Sequence, residues 1–345
     1  MPISNKKKSN DRVVFRVDTN ATIGLGHFSR CIAVAEMLSA RFEICFALQS
    51  PSENIIEKCQ QLGIQATALE ETGDYQQDIL NLCNILSPND IVVLDGLAFD
   101  TNYQQKIKSI GCKLVCIDDL HAYPFVADAI INRDPSISRL DYLTKDYTKL
   151  YIGFHYSMVR QEFRTAAKKE RILNKIETVF ICIGGTDPHD VTWKATKAAL
   201  SNKSIKKINV VMGSQYRGKD NLIEFASVHQ PLIQCYSDIN AETMVELLEQ
   251  SQIAICPAST IAFEAFCIGL NMVSGYFVDD QKRFATYIND QKLALSAGNL
   301  SVVSEEYIAE CIKKAFSASH FLKQKQVMQG EQSVYINAIF EELKN

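Results

Sequence analysis

The sequence predicts an α/β protein made of two doubly wound domains that face each other across a cleft. Three observations carry this expectation. The chain of 345 residues is more than twice a typical single-domain length, so each half is large enough to bury its own core. Short apolar runs rich in β-branched residues alternate with longer polar or amphipathic stretches, the grammar of a parallel sheet flanked by helices. The second half then restarts with the same strand, glycine turn and helix that open the first.

The first domain is expected over 11–165. VVFRVD (13–18) reads as its opening strand, and the loop that follows ends in IGLGH (23–27). In HFSRCIAVAEMLS, Phe28, Cys31, Ile32, Ala35 and Leu38 recur at helical spacing, which predicts an amphipathic helix. FEICFAL, DIVVLDG, KLVCIDD and ADAIIN read as further strands. The charged stretch RTAAKKERILNKIET marks a junction near 165–176. A second domain over 176–325 begins with the strand ETVFICI, the turn GGTDP and the helix HDVTWKATKAAL, with Asp187 and Pro188 suited to an N-cap and a first-turn proline. KINVVMG, PLIQCY, QIAICPAS and MVSGYF supply its later strands, and 326–345 reads as a terminal helix able to pack back on the first domain.

Composition narrows the partners. Lys and Arg total 36 against 40 for Asp and Glu, a formal charge of -4, so no global positive field draws nucleic acid or an anionic membrane. MPISNKKKSNDR lacks the apolar core of a signal peptide, and no apolar run approaches the ~18 residues of a membrane span. A cytoplasmic protein without stable membrane insertion is expected. The 11 cysteines are odd in number, sit mostly in apolar runs and show no paired zinc spacing, so they read as reduced core residues. Cys112 and Cys116 share one strand face, and Trp193 stands at helical spacing; both are core readings.

Four places carry possible chemistry. Gly24 and Gly26 precede a helix, where bare N–H groups and the helix dipole favour an anion. Ser29 occupies the third glycine position of a dinucleotide fingerprint, and no GK[ST] follows. His27 at the loop mouth either takes a proton from water or caps the helix, and Asp18 either orients its ring or simply ends the strand. Gly184 and Gly185 form a donor turn suited to a pyrophosphate, or a tight turn only. In CPASTIAFEAFCIGL, the small residues Ser259 and Thr260 follow a strand, and Glu264 either accepts ribose hydroxyls or is a solvated helix residue. Asp118 and Asp119 either bind Mg²⁺ or close a strand-end turn.

Together, IGLGHFSRC, CIDDLHAYPFVADAIIN, YIGFHYSMVRQEF, ICIGGTDPHDVT, VVMGS and ASTIAFEAFCIGL resemble the UDP-2,4-diacetamido-2,4,6-trideoxy-β-L-altropyranose hydrolase family of bacterial pseudaminic acid biosynthesis. The resemblance runs from about residue 12 to 280, and G-x-G-H-x-x-R and GGTDP are its specific parts. It implies two Rossmann-like domains in the GT-B arrangement and a UDP-sugar substrate handed to water, a scheme that calls on no cofactor and requires no metal. It also implies that His27 is the catalytic residue, that the turn holding Gly184, Gly185 and Thr186 meets the pyrophosphate, that Glu264 holds the ribose, and that the backbone around Tyr236 and Ser237 reads the uracil edge. Leu97 stands where members commonly carry a tyrosine, which leaves the sugar open. The alternative is a GT-B glycosyltransferase with a UDP-sugar donor.

Overall fold

The computed structural model describes residues 11–18, 26–96, 98–173 and 175–344. Gly24 and Leu97 lie outside the described residues. The chain divides into two units, one formed by 1–158 with 331–345 and the other by 159–330.

The first unit holds a sheet of β1 (Arg12–Val17), β2 (Glu43–Gln49), β3 (Gln65–Leu69), β4 (Ile91–Asp95), β5 (Lys113–Ile117), β6 (Ala129–Asn132) and β7 (Lys149–Ile152), in the order β3-β2-β1-β4-β5-β6-β7. All neighbours pair in parallel. Its helices are α1 (Gly26–Leu38), α2 (Glu53–Gln61), α3 (Tyr75–Cys83) and α4 (Thr101–Ile110). Strand alternation divides the apolar side chains between two cores. Val13, Phe15 and Val17 pack with α1 on one face, and Val14 joins Tyr103 and Ile107 on the other. A parallel sheet covered on both faces needs such near-continuous apolar strands.

The second unit repeats the plan with β8 (Thr178–Cys182), β9 (Lys207–Met212), β10 (Ile233–Ser237), β11 (Ile253–Pro257), β12 (Asn271–Tyr276) and β13 (Leu295–Asn299), ordered β10-β9-β8-β11-β12-β13 and parallel throughout. Around it lie α5 (Gln161–Ala167), α6 (Val191–Leu200), α7 (Lys219–Ser227), α8 (Ala241–Gln250), α9 (Thr260–Ile268), α10 (Asp279–Asp290), α11 (Glu305–Ala315) and α12 (His320–Val327). The last helix, α13 (Gln332–Leu343), returns to the first unit and packs on α1, with Asn337 Nδ2 donating to the Met37 carbonyl at 2.9 Å.

Three boundaries differ from the sequence expectation. The break falls at Met158–Val159, ahead of 165–176, because α5 buries Phe163 and packs on α8 and α9. The charged stretch is also pinned to that unit: Lys169 pairs with Glu249 at 2.7 Å, and Arg171 donates to the Glu249 and Gly269 carbonyls at 2.6 and 3.1 Å. The terminal helix starts at Gln332 rather than 326, since α12 occupies the residues up to Val327. Finally, α6 starts at Val191. Asp187 is not its N-cap but reaches in from upstream, accepting from the N–H groups of Val191 at 2.9 Å and Thr192 at 2.7 Å, and Pro188 stays outside the helix.

His320 gives the second unit a measurable acid sensitivity. It is 6% exposed, its Nδ1 accepts from the Met272 N–H at 3.1 Å, and burial pulls its pKa down to about 4. From about pH 6.5 to about 4 the unfolded chain therefore binds a proton that the folded chain refuses, so stability rises with pH across that window. Acidification through it is expected to cost about 3 kcal/mol at this group. Denaturant unfolding of the wild type and His320→Gln at pH 7 and pH 4 checks this; equal pH dependence in the two proteins removes His320 as the cause.

Candidate functional site

A doubly wound sheet binds ligands beyond the carboxyl ends of its strands, where the strand order reverses. In the first unit that point lies between β1 and β4. His27 stands in the first turn of α1, the first helix described after β1, and Asp95 is the last residue of β4. The topology therefore brings together two residues 68 positions apart, with His27 Nδ1 at 2.6 Å from Asp95 Oδ1.

Asp95 is fully buried. Burial alone drives its carboxyl toward the neutral form, but Arg30 outweighs that by charge and hydrogen bonding, with help from His27, and holds it well below the usual carboxylate range. Arg30 grips it with Nε to Oδ2 at 2.6 Å and Nη2 to Oδ1 at 2.5 Å, while its Nη1 donates to Asp119 at 2.5 Å. An ionised carboxylate only accepts, so Nδ1 of His27 must carry the proton it shares with Asp95. The 3.1 Å approach of Arg30 Nη2 to the same Nδ1 is then a contact between two donors, not a hydrogen bond. The lone pair of the neutral ring is left on Nε2, and the His27 side chain is 17% exposed. Beside it, His27, Arg30, Gly96, Asp118 and Asp119 help line a cavity of about 10 Å³, room for a single water.

The other acidic candidates have different work. Asp18 pairs with Arg16 at 2.9 Å and accepts from Tyr75 Oη at 2.7 Å, so the ring of His27 is oriented by Asp95 instead. Asp118 accepts from the His121 N–H and from Tyr142 Oη, both at 2.8 Å, which makes it a strand-end anchor. Among the described residues no group of three or more His, Cys, Asp or Glu is arranged to hold a metal ion.

In the second unit the order reverses between β8 and β11. Gly184, Gly185 and Thr186 follow β8, while Ser259 and Thr260 follow β11 and lead into α9. Gly184 has φ of 108°, a conformation suited to glycine. A Cβ on Gly213, at the end of β9, would lie 2.2 Å from the carbonyl oxygens of Gly184 and Gly185, so only glycine allows the two loops to touch. The N-terminus of α6 is already occupied by the Asp187 carboxylate, whereas Ser259 at the start of α9 makes no side-chain cap. Glu264 is buried in α9 and not solvated; Arg160 holds it through Nε at 2.7 Å and Nη2 at 2.9 Å. Tyr236 and Ser237 end the edge strand β10, separated from β8 by β9, and Tyr236 Oη donates to Gln234 at 2.7 Å.

No family model matches the chain. It is 25% identical over 280 residues to the UDP-2,4-diacetamido-2,4,6-trideoxy-beta-L-altropyranose hydrolase of Campylobacter jejuni, covering 80% of this chain and 96% of that protein. It is 26% identical over 309 residues to the spore coat polysaccharide biosynthesis protein SpsG of Bacillus subtilis, covering 86% of each. An uncharacterised protein of Methanocaldococcus jannaschii is 24% identical over 309 residues, and the match spans only 62% of its length. Among solved structures, MurG of Acinetobacter baumannii aligns with a TM-score of 0.65 at 11% identity, over 96% of this chain and all of that one. The calicheamicin glycosyltransferase CalG4 aligns at 0.64 and 10%, over 97% and 98%. The chain has the GT-B fold. Over most of its length it is similar to the altropyranose hydrolase and to SpsG.

Within this GT-B chain, sequence reasoning missed Asp95 and gave Arg30 no role, although both lay in motifs it used. The available signal was position: Asp95 closes the strand next to β1 at the reversal point, where a carboxylate is costly to bury unless it serves a partner. Arg160 was also missed. Its partner, Glu264, lies 104 residues away, so only the folded second domain joins them.

Proposed function

We propose that the chain hydrolyses a UDP-linked diacetamido-trideoxy sugar at the anomeric C–O bond, releasing UDP and the free sugar with inversion, in pseudaminic or related nonulosonic acid biosynthesis. The observation that carries this reading is the His27–Asp95 pair at 2.6 Å, which engages Nδ1 and leaves the ring's lone pair on Nε2, in a residue that lines a water-sized cavity. The kinship with the Campylobacter jejuni hydrolase supports the sugar class. All eleven cysteines are free thiols, which suits a cytoplasmic enzyme. Among the described residues no helix is long and apolar enough to cross a membrane.

In this scheme Nε2 takes a proton from water as the water oxygen bonds to the anomeric carbon and the bond to the UDP oxygen breaks. Asp95 stabilises the imidazolium that forms. UDP leaves as a phosphate whose conjugate acid has a pKa of roughly 6, so one base suffices and no general acid is needed. The backbone of Gly184, Gly185 and Thr186 and the start of α9, where Ser259 makes no side-chain cap, meet the charge growing on the pyrophosphate; α6 does not, because Asp187 fills its end. Ser259 and Thr260 line the approach to α9, Glu264 holds the ribose, and the backbone of Tyr236 and Ser237 reads uracil.

Turnover in ¹⁸O-labelled water tests the reaction. The label is expected on the anomeric oxygen of the sugar, with UDP unlabelled and no acceptor added. Label in UDP or in phosphate means attack at phosphorus and removes the assignment. Turnover of candidate UDP-sugars only after an acceptor alcohol is supplied assigns the chain to the glycosyltransferases instead.

A further inference from the structure

The motif YSMVRQEF has no part in the reaction as derived above, yet it supplies the cation that pairs with Glu264. Arg160 stands at the N-cap of α5, and its guanidinium lies 4.9 Å from the ring centre of Phe163, one turn along the same helix. Phe163 is fully buried, so it forms a fixed platform for the guanidinium plane. From there Arg160 makes a two-pronged contact with both oxygens of Glu264. The carboxylate side chain is 6% exposed and the arginine 27%. Around Glu264 the helix is apolar, with Ile261, Ala262, Phe263, Ala265 and Phe266 all buried.

We propose that Arg160 is a positioning residue that turns Glu264 into a reader of vicinal hydroxyls, and that through it the site distinguishes ribonucleoside from 2′-deoxyribonucleoside diphosphates. The proposal rests on the reading of Glu264 as the ribose acceptor. Each carboxylate oxygen has two lone-pair sites, about four in all. The fork of Arg160 takes one on each oxygen and fixes the plane of the group, leaving one on each for a pair of neighbouring hydroxyls. Without the fork the carboxylate is free to rotate, so its two open lone-pair sites are no longer held in one plane toward a pair of neighbouring hydroxyls. That freedom removes the preference for the diol. A lysine keeps the charge but, as a point donor, cannot hold both oxygens in one plane.

Calorimetric titration of the full chain with UDP and with dUDP tests this in the wild type, Glu264→Gln, Arg160→Gln and Arg160→Lys. The wild type is expected to prefer UDP by about 10- to 100-fold, the scale of a hydrogen bond to a charged acceptor. Glu264→Gln and Arg160→Gln are expected to bring the preference to within about threefold, with UDP affinity falling more than dUDP affinity because dUDP keeps one of the two hydroxyls, and Arg160→Lys to weaken it at least about threefold. Should Arg160→Gln fail to fold, Arg160→Lys carries the test. If Glu264→Gln loses the preference but the Arg160 variants keep it, the proposal fails and the ribose reading stands. Equal loss of UDP and dUDP affinity in the Arg160 variants reduces the pair to a fastening of the chain to α9 and also overturns the proposal. A wild type that binds both nucleotides alike overturns the ribose reading and the proposal with it.

Discussion

Replacing His27 with alanine is expected to slow UDP release from the sugar substrate by about 10²–10⁴-fold, the usual worth of a positioned general base. UDP affinity should change by less than about twofold, because the groups assigned to UDP binding are mostly those of the second domain and the base belongs to the first. The expectation follows from the tautomer. With Nδ1–H donated to Asp95, the ring presents its only lone pair at Nε2, and among the described residues no other imidazole lines the cavity beside it. Steady-state turnover together with UDP titration separates the two effects. A variant retaining more than about a tenth of wild-type kcat rules out His27 as the base.

Asp95→Asn is expected to lower turnover by about 10²-fold or more with a folded protein, and Asp95→Ala to destabilise the first domain by about 3–5 kcal/mol. The asparagine preserves the volume, but its amide is able to donate to Nδ1, which moves the ring proton to Nε2 and takes away the base. The alanine removes a carboxylate that accepts from Arg30 twice and from His27, and that lies within 3.3 Å of Cys31 Sγ. Arg30 is 3% exposed and, among the acidic side chains of the described residues, is left paired with Asp119, itself partly open to solvent, so much of its charge is buried without compensation. Kinetics of the first variant and denaturant unfolding of the second check these outcomes. An Asp95→Asn enzyme close to wild-type rate shows that the ring is held by something other than this carboxylate.

Much of the fold is legible in the sequence because parallel strands buried on both faces must be written in unbroken apolar, β-branched letters. RVVFRV, IVVLD and TVFIC admit few other readings. The strands that escaped are those whose burial is shared. QATAL in β3 and LSAGN in β13 lie at sheet edges with mostly half-exposed side chains, and KLYI in β7 carries no fully buried residue. Their pattern is too weak to separate from a loop, and pairing with a formed neighbour decides them.

The same division runs through the candidate site. By itself the sequence determined the two doubly wound domains, the Gly184–Gly185 turn that follows β8, and the presence of a histidine at the start of α1 and a glutamate within α9. Each of these is local, set by a run of residues and the turn that follows it. Only the tertiary structure decided that Asp95 and not Asp18 faces His27, that Asp187 rather than a ligand fills the end of α6, that Arg160 meets Glu264, and that the charged stretch after α5 belongs to the second domain. The reason is physical. A buried charge must find a partner wherever the fold brings one near, and sheet order sets the ends of β1 and β4 side by side, pairing Val17 with Asp95 across a long stretch of intervening chain.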